Sequence, residues 1–291
     1  MNKFPRISII TPSYNQGEYI EKTIKSILSQ EYPNLEYIII DGGSTDNTIE
    51  IIKKYENDIT YWVSEPDKGQ TDALKKGFSM ATGDFFLWVN SDDYLLPDAI
   101  NKFVDAHIKN PSADLIVGLG RRSDPNGNIF KSDVPIGEIT LDFLFNWMEG
   151  PWFCQPSSMF SRKVWEDCGP FNEKFRIAFD LDFWIKAKKQ GFQFSVINDY
   201  LSVEIFHDGQ HTARFRRLTH VEIVLVIINH GGEDRVRGYL DEMARKLTWY
   251  ETNYKYIKQS KIFKIIYKIN KVLLRKNKLL KYEDTNPPWG K

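Results

Sequence analysis

Asp92 and Asp93 are adjacent carboxylates at the end of an apolar run, Phe85 to Val89. Two acids side by side in such a place repel each other and lose hydration unless a positive charge neutralises them. A hard divalent cation bridging a diphosphate does this, because Mg²⁺ and Mn²⁺ favour carboxylate oxygen and leave positions open for phosphate. A solvated turn or a helix cap is the plainer alternative. Three further polar loops bear on the choice: Thr11 to Asn15, Asp41 to Asp46 and Glu65 to Gln70. In the second, glycines let backbone amides approach a ligand, and Asp41 is placed to accept a hydrogen bond from a base or ribose. This loop lacks the GxGxxG and GxxxxGK[ST] spacings, which disfavours a dinucleotide Rossmann site and a P-loop.

These loops need elements to carry them. Arg6 to Thr11, Leu35 to Ile40, Thr60 to Ser64 and Phe85 to Val89 are short apolar runs that predict buried strands. Between them, Glu18 to Gln30, Asn47 to Tyr55 and Gln70 to Met80 have helical spacing. Strand and helix in alternation predict an α/β fold with right-handed crossovers and a mainly parallel sheet. Ligands of such sheets bind beyond the carboxyl ends of the strands, where all four polar loops fall. Beyond Pro111 the pattern loosens. Asp114 to Gly118, Gln155 to Arg162 and Gln193 to Ile197 predict strands, Asp180 to Gln190 a helix, and His220 to Ile228 a buried helix.

The four loops, taken with their flanks, resemble glycosyltransferase family 2. The residues that carry this are Ser8 to Asn15, Asp41 to Thr48, Glu65 to Ala73 and Asn90 to Tyr94, in the family's order and spacing; Gln155 to Trp184 resembles its acceptor half. The resemblance implies a GT-A fold and inverting, non-processive transfer of one sugar, in a hexosyl or N-acetylhexosaminyl transferase. The donor is a nucleotide-sugar, a UDP-sugar by expectation, and the acceptor a hydroxyl of a glycan or lipid-linked molecule in bacterial surface polysaccharide synthesis. It implies that Pro12, Ser13 and Tyr14 line the base pocket and that Asp41 holds the base. Asp67, Lys68 and Gln70 lie near ribose and diphosphate, Asp72 contacts base or sugar, and Asp92 also serves the donor. Asp93 is the implied direct ligand of Mn²⁺ or Mg²⁺, and His207 the third ligand, with His211 a poorer alternative. Asn90 stands where the family has its first acid. Processive synthases carry membrane spans and Gln-x-x-Arg-Trp, and neither occurs here.

Inverting transfer needs a base to take the acceptor's proton, a gain of about 10²–10⁴-fold. In Phe179-Asp180-Leu181-Asp182-Phe183-Trp184 the resemblance assigns that base to Asp180, with Phe179 where the family commonly has Glu. Asp180 and Asp182 are two apart, so on a helix they point in different directions and at most one is the base. Trp152, Gln155 and Trp184 are candidates for the acceptor pocket; for Trp147 and Phe153, core packing competes. The expected division is a donor half at 1–115, an acceptor and catalytic half at 116–230, and a basic amphipathic tail at 231–291.

The chain has 291 residues, 42% hydrophobic and 27% charged, with no net charge. That is a globular composition with room for a large core. The neutrality hides an asymmetry: Tyr254 to Tyr282 holds ten Lys or Arg and no Asp or Glu. Lys258, Lys261, Lys264, Lys268, Lys271 and Arg275 recur on one face and isoleucines on the other. This pattern suits either an anionic membrane surface or a docked helix with solvated lysines. Nucleic-acid binding has no support elsewhere in the chain. Cys154 and Cys168 form no metal or disulfide pattern, and no stretch reaches the apolar length of a membrane span. The expectation is a cytoplasmic protein, free or peripheral on the inner face of the membrane. A nucleotidyltransferase would place a basic residue in the loop from Thr11 to Gly17, which has none; a silent binding module would not need Asp41, Asp93 and Asp180 together.

Overall fold

Strand β1 (Ile7–Ser13) is buried at every position, as a strand covered on both faces of its sheet must be. The structure, a computed structural model, describes residues 4–210 and 215–259. Helix α1 (Ile20–Leu28), β2 (Leu35–Asp41), α2 (Thr48–Lys54), β3 (Tyr61–Ser64), α3 (Gln70–Met80) and β4 (Phe85–Trp88) follow in the alternation the sequence predicts. All three pairings among these strands are parallel: Ser13 lies beside Asp41, Asp41 beside Ser64, and Ile10 beside Trp88. The register therefore brings the carboxyl ends of four strands, and the four polar loops, to one edge.

The second half is mixed. It contains β5 (Asp93–Leu95), α4 (Ala99–Lys109), β6 (Leu115–Ser123), β7 (Ile129–Ser132), α5 (Leu141–Phe145), a 3₁₀ turn (Gln155–Ser157), β8 (Ser158–Ser161), α6 (Arg162–Cys168), α7 (Phe179–Lys189), β9 (Phe194–Ile205) and α8 (Arg216–Asn229). The sheet runs β3-β2-β1-β4-β8-β6-β9-β5, with β7 on the side of β6. β8 is antiparallel to both β4 and β6, β9 parallel to β6, and β5 antiparallel to β9.

Alternate side chains feed two cores. Ile10, Ile38, Phe86 and Trp88 join Phe78, Phe160, Phe183 and Trp184 on one face. Ile9, Ile39, Phe85 and Leu87 join Ile24, Ile52 and Phe103 on the other. This period-two split is what the pleat imposes on apolar runs.

Some expectations shift. The strand expected from Gln155 starts at Ser158, because Pro156 has no N–H to give a ladder and sits in the 3₁₀ turn. β9 runs on to Ile205, eight residues past the predicted end. α8 is helical as expected, but of its apolar side chains only Val226 and Ile227 are buried, whereas Val221 and Leu225 are exposed. The chain divides into two compact units, 1–236 and 237–291. Helix α9 (Glu233–Gln259) opens the stretch expected as the tail. Most of the basic face lies in 260–291, outside the described residues.

Candidate active site

The loops after β1 and β2 are tied together. Thr45 N–H donates to Asn15 Oδ1 at 2.8 Å, Asn15 N–H to Ser44 Oγ at 2.7 Å, and Gly17 N–H to Asp46 Oδ2 at 2.9 Å. The loop after β3 closes over them. A Cβ on Gly42 would lie 2.8 Å from Asp67 Oδ2, so any side chain there would displace the Asp67 carboxylate. Gly69, at φ +116°, opens α3 in a conformation that side chains disfavour. Together with the loop after β4 they enclose a cavity of about 740 Å³. Pro12, Ser13, Tyr14, Asp67, Gln70, Asp92, Asp93, Gln155 and Asp180 all line it.

Asp92 Oδ2 lies 3.2 Å from His207 Nε2. The imidazole is held by stacking on Tyr19, centroids 4.3 Å apart, at the end of β9. His207 meets Asp92 and not Asp93, whose Oδ2 accepts from Asn90 Nδ2 at 3.0 Å in a nearly sealed position. Burial, with Asp92 and Glu204 beside it, holds the Asp93 carboxyl well above the ordinary range. Among the described residues no three His, Cys, Asp or Glu side chains cluster as a closed metal site. Asp92 would suit Mn²⁺ or Mg²⁺ at an open site, since both favour carboxylate oxygen, and the His207 imidazole would suit Mn²⁺ better than Mg²⁺.

A chain of amides spans the cavity floor. Gln70 Nε2 donates to Asn90 Oδ1 at 2.7 Å, Asn90 Nδ2 also reaches Gln155 Oε1 at 3.3 Å, and Gln155 Nε2 donates to the Trp88 carbonyl at 2.9 Å. Asn90, in place of a carboxylate, can donate and accept at once, which an aspartate could not.

Asp180 opens α7. Burial pushes its carboxyl up to about 7, and Glu204 and Glu222 add to this. Its Oδ1 accepts from the Leu181 N–H at 2.7 Å. Phe179 sits on Phe171 and Trp88 and anchors the first turn in the aromatic core. Asp182 faces elsewhere, its Oδ1 2.9 Å from His230 Nε2. Glu222 of α8 is 4% exposed and accepts from three successive backbone N–H groups, Arg176 at 3.0 Å, Ile177 at 2.7 Å and Ala178 at 3.1 Å.

Other expected residues sit differently. Asp41 is wholly buried and does not reach the cavity. Its Oδ2 accepts from Gly43 N–H, Ser44 N–H and Ser64 Oγ and its Oδ1 from Ser44 Oγ, which ties it to its own loop and β3. Asp72 accepts from the Lys68 N–H at 3.1 Å, and neither side chain lines the cavity. Trp184 is 1% exposed, inside the aromatic core, and cannot touch an acceptor. Trp152 lies under Lys131 Nζ, 4.3 Å from its ring centroid, outside the cavity lining. His211 lies outside the described residues. Sequence reasoning missed Glu204, Arg176, Glu222 and Tyr19. Glu204 faces Asp93 across the β5–β9 pair and is held by Arg122 at 2.9 Å; only the strand pairing reveals it.

Residues 8–169 match the family model described as "Glycosyl transferase family 2". The chain belongs to glycosyltransferase family 2. It is therefore a glycosyltransferase, and family membership decides against the nucleotidyltransferase alternative. Relatives include chondroitin synthase of Pasteurella multocida strain Pm70, 29% identical over 82% of this chain and 24% of that protein. Hyaluronan synthase of Pasteurella multocida is 30% identical over 73% of this chain and 22% of that protein. The family 2 chain thus spans about a quarter of the length of these relatives. Among solved structures, S. aureus TarS 1-349 in complex with UDP-GlcNAc aligns at TM-score 0.61 and 22% identity, over 79% of this chain and 69% of that one. The mannosyltransferase PcManGT from Pyrobaculum calidifontis, in complex with GDP-Man and Mn²⁺, aligns at 0.57 and 18%, over 90% and 82%. The fold is accordingly GT-A. No helix of the described residues is long and apolar enough to cross a membrane.

Proposed function

We propose that this glycosyltransferase moves one sugar, with inversion, from a nucleotide-sugar to a hydroxyl of a glycan or lipid-linked acceptor, with Asp180 as the base. The observation that carries the reading is that Asp180 shares one cavity with Asp92 and the loop residues Pro12, Ser13, Tyr14, Asp67 and Gln70. The base and ribose lie against the loops after β1 to β3, and the diphosphate points toward Asp92 and His207. A divalent cation held by those two residues would offset charge on the leaving diphosphate. Asp180 accepts the acceptor proton as the hydroxyl oxygen attacks the anomeric carbon and the bond to the diphosphate oxygen breaks. A carboxyl poised near 7 suits this step, since it is partly ionised at neutral pH and still basic enough to take a proton. The UDP-GlcNAc held by TarS supports a UDP-sugar donor, and the Mn²⁺ of PcManGT supports Mn²⁺ as the cation.

In this reading residues 1–115 bind the donor, 116–230 supply base and acceptor wall, and the basic stretch after Tyr254 favours an anionic membrane surface. Co-sedimentation with anionic vesicles at low salt checks that last part. The main test is a thermal-shift and hydrolysis screen of nucleotide-sugars with Mn²⁺. One nucleotide class should raise Tm and be consumed, and Asp180→Asn should keep the shift while losing transfer to acceptor. No shift and no turnover with any nucleotide-sugar would overturn the proposal.

A further inference from the structure

Five carboxylates line the cavity: Asp67, Asp92, Asp93, Asp180 and Glu204. Among the described lining residues there is one cationic side chain, Arg176. Its guanidinium lies 4.8 Å over the ring of Phe215 and pairs with no carboxylate among the described residues. Stacking of this kind leaves the in-plane N–H groups available, and a guanidinium fork matches phosphate or carboxylate oxygen in two parallel hydrogen bonds.

Its place in the chain says which substrate it serves. Arg176 lies in the connection before α7, and its backbone N–H is held by Glu222, as are those of the next two residues. Asp180 follows four residues later in the first turn of that helix. Arg176 and the base thus stand on one wall, while the loops after β1 to β3 that face the nucleotide form another. Arg176 is the described cation beside Asp180 that would meet an anionic acceptor group, and a neutral acceptor would have no use for it.

We propose that Arg176 receives an anionic group, phosphate or carboxylate, on the acceptor, next to the hydroxyl that Asp180 deprotonates. This rests on the transferase reading above. The test titrates the full chain, first with UDP and Mn²⁺ and then, nucleotide-loaded, with two matched pairs of probes: methyl β-D-glucuronide against methyl β-D-glucoside, and ribitol 5-phosphate against ribitol. At least one anionic probe should bind roughly tenfold or more tighter than its neutral partner, the size of one charged hydrogen-bond pair. The responding pair tells carboxylate from phosphate. Arg176→Gln should erase the preference and leave UDP affinity within about twofold, and Arg176→Lys should restore part of it. Equal binding within both pairs overturns the proposal alone. Loss of UDP affinity in Arg176→Gln alongside loss of the preference also overturns it, by assigning the guanidinium to the diphosphate. Absence of UDP binding by the wild-type chain overturns the UDP-donor reading, and this proposal with it.

Discussion

His207 Nε2 and Asp92 Oδ2 are 3.2 Å apart although 115 residues separate them in the chain. The contact exists because β5, which starts one residue after Asp92, pairs with the last turns of β9, which ends two residues before His207. If these two side chains hold the cation, His207→Ala should raise the Mn²⁺ concentration for half-maximal turnover by about 10–100-fold, the range seen when metal-site partners are removed. Asp93→Asn should shift it less, because Asp93 Oδ2 is held by Asn90 and its buried Oδ1 alone is without a partner. A metal titration of nucleotide-sugar hydrolysis in both variants checks this; a larger effect from Asp93→Asn would restore Asp93 as the ligand.

The Asp180 carboxyl at about 7 gives a pH signature. Turnover should rise through pH 7 as the group ionises and flatten above it. Asp180→Asn should lower transfer by about 10²–10⁴-fold and abolish that rise, while the nucleotide-induced shift in Tm is kept.

The same group bears on stability. Its folded pKa lies above the unfolded value, so ionisation is harder in the fold. Stability is therefore lost as pH rises from about 4 through 7, and the loss is complete above the folded value. Asp180→Asn should accordingly be more stable than wild type at pH 8, by roughly 1–3 kcal/mol after allowing for the cavity's water, and level with it near pH 4. Urea melts at the two pH values measure this.

Glu222 holds the turn that leads into Asp180. Glu222→Ala strips three backbone N–H groups, one of them buried and two half-buried, of their acceptor and should cost about 2–4 kcal/mol. Glu222→Gln keeps one acceptor oxygen and should fall between. In the milder variant transfer should drop while nucleotide affinity stays, since the donor loops are untouched. Equal loss of both would show that Glu222 supports the whole fold and not the base.

Gly42→Ala should weaken nucleotide binding by roughly 1–2 kcal/mol with little change in Tm, because the new Cβ would push the Asp67 carboxylate from its place 2.8 Å away. Isothermal titration with UDP and a thermal melt separate the two effects.

The donor half was legible because its strands are continuous apolar runs and its loops are the polar breaks between them. Ile7 to Asp93 needed only periodicity and the crossover rule to place Ser13, Asp67 and Asp92 on one edge. The acceptor half was less so. Glu204 is one of several polar residues in an irregular stretch, and what makes it a site residue is its register opposite Asp93, which no local pattern carries. Trp184 failed for a related reason: aromatic spacing on α7 does not tell the face toward the cavity from the face toward Phe153 and Trp147, where it lies. Asp41 was expected to hold the base, but its surroundings were not legible. Ser44 and Ser64 absorb its oxygens, and that follows from the level ending of β2 and β3.

β9 runs parallel to β6 through to Ile205, and on its other edge residues 202–204 pair antiparallel with β5, so one strand ties the two halves of the sheet to the site. Its far end sets His207 against the acid that follows the fourth strand. Recombination between relatives is constrained by this. A hybrid that takes residues up to Pro111 from one transferase and the rest from another would inherit the proposed cation site split across the junction, with Asp92 from one parent and His207 from the other. Transfer should therefore survive in such hybrids only when the β5 and β9 segments are exchanged as a pair.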